Sequence, residues 1–222
     1  MKEFNRNHAV LWDMDGVLVD TGAFHYEAWK ETFNELNVPF SEEDFRKTFG
    51  MNNAGILETI FERKPEPGEV AEISHKKESL FRDLVKGKAV LLPGVADWLE
   101  RFRAWGLKQA ITSSAPPANI EFLVDELKIR GYFDEIVSGF DLPGKPNPDT
   151  FLKASEMLKV KPENCVVVED AIAGVEGAKR AGMKCVAVTT TNPAKQLSKA
   201  DLVVEHLGKM EEEDFKSLFP EF

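Results

Sequence analysis

The stretch Ala9-Val10-Leu11-Trp12-Asp13-Met14-Asp15-Gly16-Val17-Leu18-Val19-Asp20 decides how this chain is read. Four consecutive apolar residues ended by an acid have the length of a buried strand, not of a helix. Asp13 and Asp15 stand two apart, so in extended backbone their side chains share one side. Gly16 admits a sharp turn directly behind them. A strand that ends this way is either an Asp-rich turn capping a helix or the start of an active site. What ends the other strands decides between the two. For Asp20 alone the readings are equally good, since an Asp there can simply cap the following helix.

Downstream, from Thr21 to Val90, the pattern is helical throughout. Phe24, Ala28, Trp29, Phe33 and Leu36 recur at helical spacing over 24–36. Ser41-Glu42-Glu43-Asp44 is an N-cap with an acidic first turn. Further helices are expected over 54–61 and, after the break Pro65-Glu66-Pro67-Gly68, over 69–85. Past Leu92-Pro93-Gly94 the rhythm changes. Strands over 107–112, 135–138, 165–168, 184–189 and 202–204 alternate with helices over 95–105, 117–127, 148–158 and 171–181, and a last helix covers 211–219. Gly182 supplies a C-cap. Strands and helices alternating at this length pair in parallel through right-handed crossovers. The fold expected is α/β, a Rossmann-like doubly wound parallel sheet. Residues 1–20 plus 92–222 form the sheet domain, and 21–91 form an all-helical domain inserted after the first strand.

The 222 residues include 28 basic and 38 acidic side chains, a formal charge of −10. That balance argues against nucleic-acid binding, which draws on clustered Lys and Arg. With 43% apolar and 30% charged residues the composition is globular. No apolar run is long enough to span a membrane, and the first eight residues do not read as a secretory signal. Cys165 and Cys185 each begin a β-branched run and read as core thiols, not as a disulfide or metal pair. The expectation is a cytoplasmic protein, monomeric or weakly self-associating, that contacts neither nucleic acid nor membrane.

Ligands of open α/β sheets sit at the carboxyl ends of the strands. After the second core strand comes Thr112-Ser113-Ser114, hydroxyls and backbone N–H groups at a helix start, which suit an anion. Lys145 lies in Gly144-Lys145-Pro146-Asn147-Pro148, whose prolines stiffen the loop and fix a positive charge. After Val166-Val167-Val168 come Glu169 and Asp170, two acids at the end of an apolar strand that call for a bound cation. Oxygen-only ligands suit a hard ion, Mg²⁺ above all beside phosphate. Each group alone has a plain explanation as a cap or as solvated surface. Together, four carboxylates and a phosphate dianion need a metal ion and a protonated acid to share a pocket. That is the layout of phosphoryl transfer.

With these motifs in order, the whole chain resembles the haloacid-dehalogenase superfamily, in the branch with a helical cap after the first motif. The resemblance implies that Asp13 attacks phosphorus and forms a phosphoaspartyl intermediate. It implies that Asp15 protonates the leaving oxygen, then activates water or an acceptor hydroxyl, and contributes to metal binding through its main-chain carbonyl. It places the second-motif hydroxyl on Ser113, though the hydroxyl run leaves Thr112 open. Ser113 and Ser114 hold the phosphoryl oxygens, and Lys145 steadies Asp13. Asp13, Asp15, Glu169 and Asp170 hold one Mg²⁺ ion. Asp15 also argues for oxygen–phosphorus chemistry, since dehalogenases of the superfamily lack an acid there.

Thr21 to Trp29, with His25, resembles the β-phosphoglucomutase branch. There, a cap arginine and a Lys-Asn pair bind the distal phosphate of a bisphosphate intermediate. Here Asn53 stands at the arginine's place and Pro116-Pro117 at the pair's. A neutral amide does not replace a guanidinium. The expected activity is therefore hydrolysis of a small phosphate monoester, a sugar phosphate or related metabolite. Transfer between sugar hydroxyls is the alternative, and a non-catalytic phospho-ligand binding module a second one. Met51, Asn52 and Asn53 would touch the leaving group. His25 is read either as orienting Asp15 or as a half-buried helix residue, and Lys76 and Lys77 either as cations facing the site or, more often for such a pair, as solvated surface. Redox chemistry is disfavoured because neither cysteine is near a motif. Dinucleotide binding is disfavoured because the first turn is acidic where glycines are needed.

Overall fold

A computed structural model describes residues 6–219; the reading of the extreme N-terminus lies partly outside them. Six strands form one parallel sheet in the order β3-β2-β1-β4-β5-β6. They are β1 (Ala9–Trp12), β2 (Lys108–Ser113), β3 (Glu135–Ser138), β4 (Cys165–Glu169), β5 (Lys184–Val188) and β6 (Leu202–Val204). This is the doubly wound sheet expected. β1 lies centrally, with β2 and β4 on its flanks, where the strand order reverses and a ligand crevice opens.

Helices cover both faces, which explains the unbroken apolar runs of β1 and β4. Val10 and Trp12 pack on one side with α5 (Val95–Ala104), α6 (Pro117–Glu126) and α9 (Glu212–Lys216), through Trp98, Phe102, Ile120 and Phe215. Ala9 and Leu11 point to the other side, against Phe151 and Ala154 of α7 (Asp149–Leu158) and Val175 and Ala178 of α8 (Ile172–Arg180). Alternation along the strand divides its residues between the two layers.

Four helices stand between β1 and α5: α1 (Gly22–Glu35), α2 (Glu42–Thr48), α3 (Asn53–Phe61) and α4 (Pro67–Val85). Ser41 caps α2 through a capping box with Asp44. Trp29, Phe33, Ile56, Leu57 and Ile73 give this helical segment a small core of its own. It leaves and rejoins the sheet side by side: Val19 bridges Leu91, and Leu92 N–H donates to Leu18 O at 3.0 Å. Ala28, Phe81 and Val85 reach into the sheet-side core.

Element ends differ from expectation at two informative places. β4 runs one residue further, so Glu169 is the last residue of a buried strand and is itself fully buried. The last helix is shorter, 212–216 instead of 211–219, because Leu218 and Phe219 follow in tight i→i+3 turns that bury both side chains. Cys165 and Cys185 are buried thiols in adjacent strands, and burial pushes Cys165 up to about 12.

Candidate active site

The carboxyl edge of the sheet brings the acids together. Asp13 leaves β1 with its N–H still bonded to Val168 O at 3.0 Å. Its Oδ1 accepts from Lys145 Nζ at 2.5 Å, and the same ammonium donates to Glu169 Oε1. The other oxygen of Glu169 accepts the N–H groups of Asp170 (3.1 Å) and Ala171 (3.2 Å). Asp170 Oδ2 accepts from Thr191 Oγ1 at 2.7 Å. Two glycines make room. A Cβ on Gly16, whose φ is +81°, would lie 2.1 Å from Asp170 Oδ2. One on Gly174 would lie 2.0 Å from the Glu169 carboxyl group.

Asp13, Glu169 and Asp170, all buried, each bring a carboxylate oxygen within 4.8 Å of the others. An all-oxygen set around one lysine fits a hard divalent cation such as Mg²⁺. The charge surplus shifts the acids themselves. Burial, then the charges of Glu169, Asp170 and Asp15, outweigh the pull of Lys145 and hold Asp13 well above the carboxylate range. Asp170 is pushed up to about 8 by burial and by Glu169 beside it. Lys145, despite burial, is held above its ordinary value by Asp13 and Glu169.

The carboxyl group of Asp15 stands apart from that trio. It accepts from Thr21 Oγ1 and meets His25 Nε2 at 3.2 Å, both on the helical side. Burial alone would raise its pKa, but His25, Thr21 and Lys77 together hold it below the usual range. Asp15 therefore sits as an ionised base while Asp13 and Asp170 resist ionisation. His25 stacks on Phe81, with centroids 3.9 Å apart, and its Nδ1 meets Lys77 Nζ at 2.8 Å. An ammonium only donates, so Nδ1 accepts and Nε2 carries the proton toward Asp15. His25 Nε2 thus faces the Asp15 carboxylate as a donor.

Several residues correct the sequence reading. Lys77 is not solvated: it is 2% exposed, paired with Glu78 Oε1 at 2.9 Å and set between the rings of Trp29 and Phe81. Lys76 does lie at the surface, against Glu35. Thr112 Oγ1 donates to Trp12 O at 3.3 Å inside the sheet, whereas Ser113, on the opposite side of β2, lines the cavity. Ser113 Oγ accepts from Ala115 N–H at 3.1 Å. Ser114 also lines the cavity and ties the edge to the helical segment through Gly50 O. Asn53 lines it as well, its amide held by Glu78 at 2.7 Å. Asn52 is not among the lining residues. It caps α3 by accepting from Gly55 N–H at 2.9 Å and reaches back to Leu142 O. Asp20 is exposed and caps nothing; Thr21 occupies the N-cap position of α1 and gives its hydroxyl to Asp15.

The enclosed space is about 60 Å³, far below the roughly 300–1,000 Å³ of sites for larger ligands. It has room for only a few heavy atoms. Sequence reading missed Thr21, Glu78 and Thr191. The run Thr189-Thr190-Thr191 at the end of β5 was the available signal for the last.

The family model for haloacid dehalogenase-like hydrolases matches residues 8–182. The β-phosphoglucomutase of Bacillus subtilis (strain 168) is 33% identical over 210 residues, covering 91% of each chain. A phosphorylated-carbohydrate phosphatase of Thermotoga maritima is 34% identical over 202 residues, covering 88% of this chain and 92% of its own. Among solved structures, the β-phosphoglucomutase of Clostridium difficile superposes with a TM-score of 0.87 at 26% identity, over 96% of this chain and 97% of that one.

Proposed function

The chain belongs to the haloacid dehalogenase-like hydrolases, and within that family we propose that it is a Mg²⁺-dependent phosphohydrolase. Its substrate is a small phosphate monoester, a sugar phosphate or related metabolite. The observation that carries this is the separation of two carboxyl groups two residues apart. Lys145 ties Asp13 to Glu169 beside Asp170 at the sheet edge, whereas Asp15 accepts from Thr21 and meets His25 on the helical side. Carboxyl groups pushed apart in this way take different roles.

In the first step Asp13, ionised once Lys145 and a bound cation offset the neighbouring acids, forms a bond to phosphorus through one carboxylate oxygen as the ester P–O bond breaks, leaving a phosphoaspartyl group. The departing oxygen takes a proton from Asp15, which has drawn that proton from solvent as the anionic phosphoryl group enters beside it and raises its pKa. In the second step water gives a proton to Asp15 and bonds to phosphorus, and the bond to Asp13 breaks. Lys145 holds Asp13 in line, and Ser113 and Ser114 face the phosphoryl oxygens. Mg²⁺, held by Asp13, Glu169 and Asp170, would supply countercharge to those oxygens. The segment 21–91 acts as a cap: with so little space enclosed, substrate enters when this segment swings about the paired connections at Val19 and Leu91.

Water is favoured over a sugar hydroxyl as acceptor because transfer needs a second phosphate held at the cap. Both lysines lining the cavity are already paired with carboxylates. A ³¹P NMR time course with Mg²⁺ and β-glucose 1-phosphate, primed with β-glucose 1,6-bisphosphate, tests this. Free phosphate is the expected product, here or from a wider set of monoesters. Growth of glucose 6-phosphate would establish the mutase reading instead.

A further inference from the structure

The cap-side wall of the cavity is organised around a buried carboxylate that the chemistry above does not use. Glu78 on α4 is 4% exposed. Its Oε1 accepts from Lys77 Nζ at 2.9 Å and from Asn53 Nδ2 at 2.7 Å, and its Oε2 accepts from Asn119 Nδ2. Asn119 Oδ1 in turn takes Arg82 Nη1 at 2.7 Å. Every cation near this wall, among the described residues, is thereby engaged. Lys77 is shared between Glu78 and His25, and Arg82 is drawn onto Asn119.

Glu78 also fixes what the wall presents. A carboxylate only accepts, so the amide nitrogen of Asn53 must face it, and the remaining polar group of Asn53 is its carbonyl oxygen. Asn53 lines the cavity with Trp29, Met51 and Ile56. An acceptor backed by a carboxylate and flanked by apolar surface binds hydroxyl groups. It repels an anion, which would be desolvated there without a partner.

We propose that Glu78 is a specificity-determining residue. Acting with Asn53, it selects monoesters whose leaving group is an uncharged polyhydroxy alcohol and rejects those carrying a second phosphate or a carboxylate. This deepens the phosphohydrolase reading and rests on it.

The test is phosphate release from a panel of small monoesters, half with neutral polyol leaving groups and half bearing a second phosphate or a carboxylate. The best neutral ester should exceed the best anionic one by about 100-fold in kcat/KM. In Glu78→Gln that ratio should fall by about tenfold, chiefly through a lower KM for the anionic esters, because Lys77 is freed to meet them. The ratio is internal to each preparation, so partial misfolding does not disturb it. In Asn53→Ala, which keeps the Lys77–Glu78 pair, the neutral esters should lose about tenfold in kcat/KM while the anionic ones stay poor. An anionic ester as best substrate, or a ratio unchanged in Glu78→Gln, overturns the proposal while leaving hydrolysis intact. Release from no member of the panel overturns the phosphohydrolase reading and this proposal with it.

Discussion

At the sheet edge Asp13, Glu169 and Asp170 crowd around one lysine, whereas on the cap side Glu78 accepts from a lysine and two amides. The consequences run in opposite directions. Asp13 and Asp170 are driven up, because burial and like charges outweigh the single cation. Burial pushes Glu78 up too, but Lys77, His25 and Asn53 more than reverse it. In the proposed function, the wall whose acids outnumber its cation is the one that would hold a metal ion and do chemistry. The other is closed electrostatically and therefore selects by shape and hydrogen bonding. Lys145 and Lys77 are both buried, yet they serve these different ends because of how many acids each must satisfy.

The contrast is most exposed to Asp13→Asn. This substitution should lower kcat by about 10⁴-fold or more, while thermal denaturation of the metal-free protein shows no loss of stability, since one crowded carboxylate has been removed. Turnover above one part in a hundred of wild type would remove the nucleophile from the sheet edge.

On the cap side the balance reverses, and stability is what suffers. Lys77→Met leaves Glu78 buried without its cation, a loss of about 3–5 kcal/mol. Adding Glu78→Gln should recover most of it, as read by denaturant titration. Additive losses in the double variant would mean that the pair is not coupled.

The third consequence is a pH dependence. In the metal-free fold Asp170 keeps its proton up to about pH 8, whereas unfolded it ionises near about 4. The folded state binds more protons throughout that window, so stability falls as pH rises across it. A cation removes the penalty. The Tm gain on adding Mg²⁺ should therefore be larger at pH 8 than at pH 6; an equal gain would place the ion away from Asp170.

The smallest effect concerns Asn52, outside the cavity. Asn52→Ala should cost about 1 kcal/mol through the lost cap of α3, with substrate ranking unchanged. A changed ranking would return Asn52 to the leaving group.

The sheet edge was more legible in sequence than the cap wall, for a physical reason. β1 and β4 are buried on both faces, so they read as unbroken apolar runs, and an acid at the end of such a run stands out. Asp13, Asp15, Glu169 and Asp170 were found that way. Lys77 and Glu78 sit in a polar helical stretch where a charged pair has the pattern of a solvated face. Only the packing of Trp29 and Phe81 over Lys77 buries it. Ser113 and Thr112 could not be separated without the register of β2, which turns the threonine hydroxyl onto Trp12 O. Asn52 and Asn53 are neighbours in sequence, but the helix start between them sends one to a cap and the other into the cavity.

The proposed chemistry turns on Asp13 carrying the phosphoryl group. Acid-quenched turnover followed by peptide mass spectrometry tests it most directly. A phosphoryl adduct is expected on the peptide holding Asp13, present during steady-state hydrolysis and absent in Asp13→Asn. Sustained phosphate release with that peptide unmodified, or with the adduct on another residue, would contradict it.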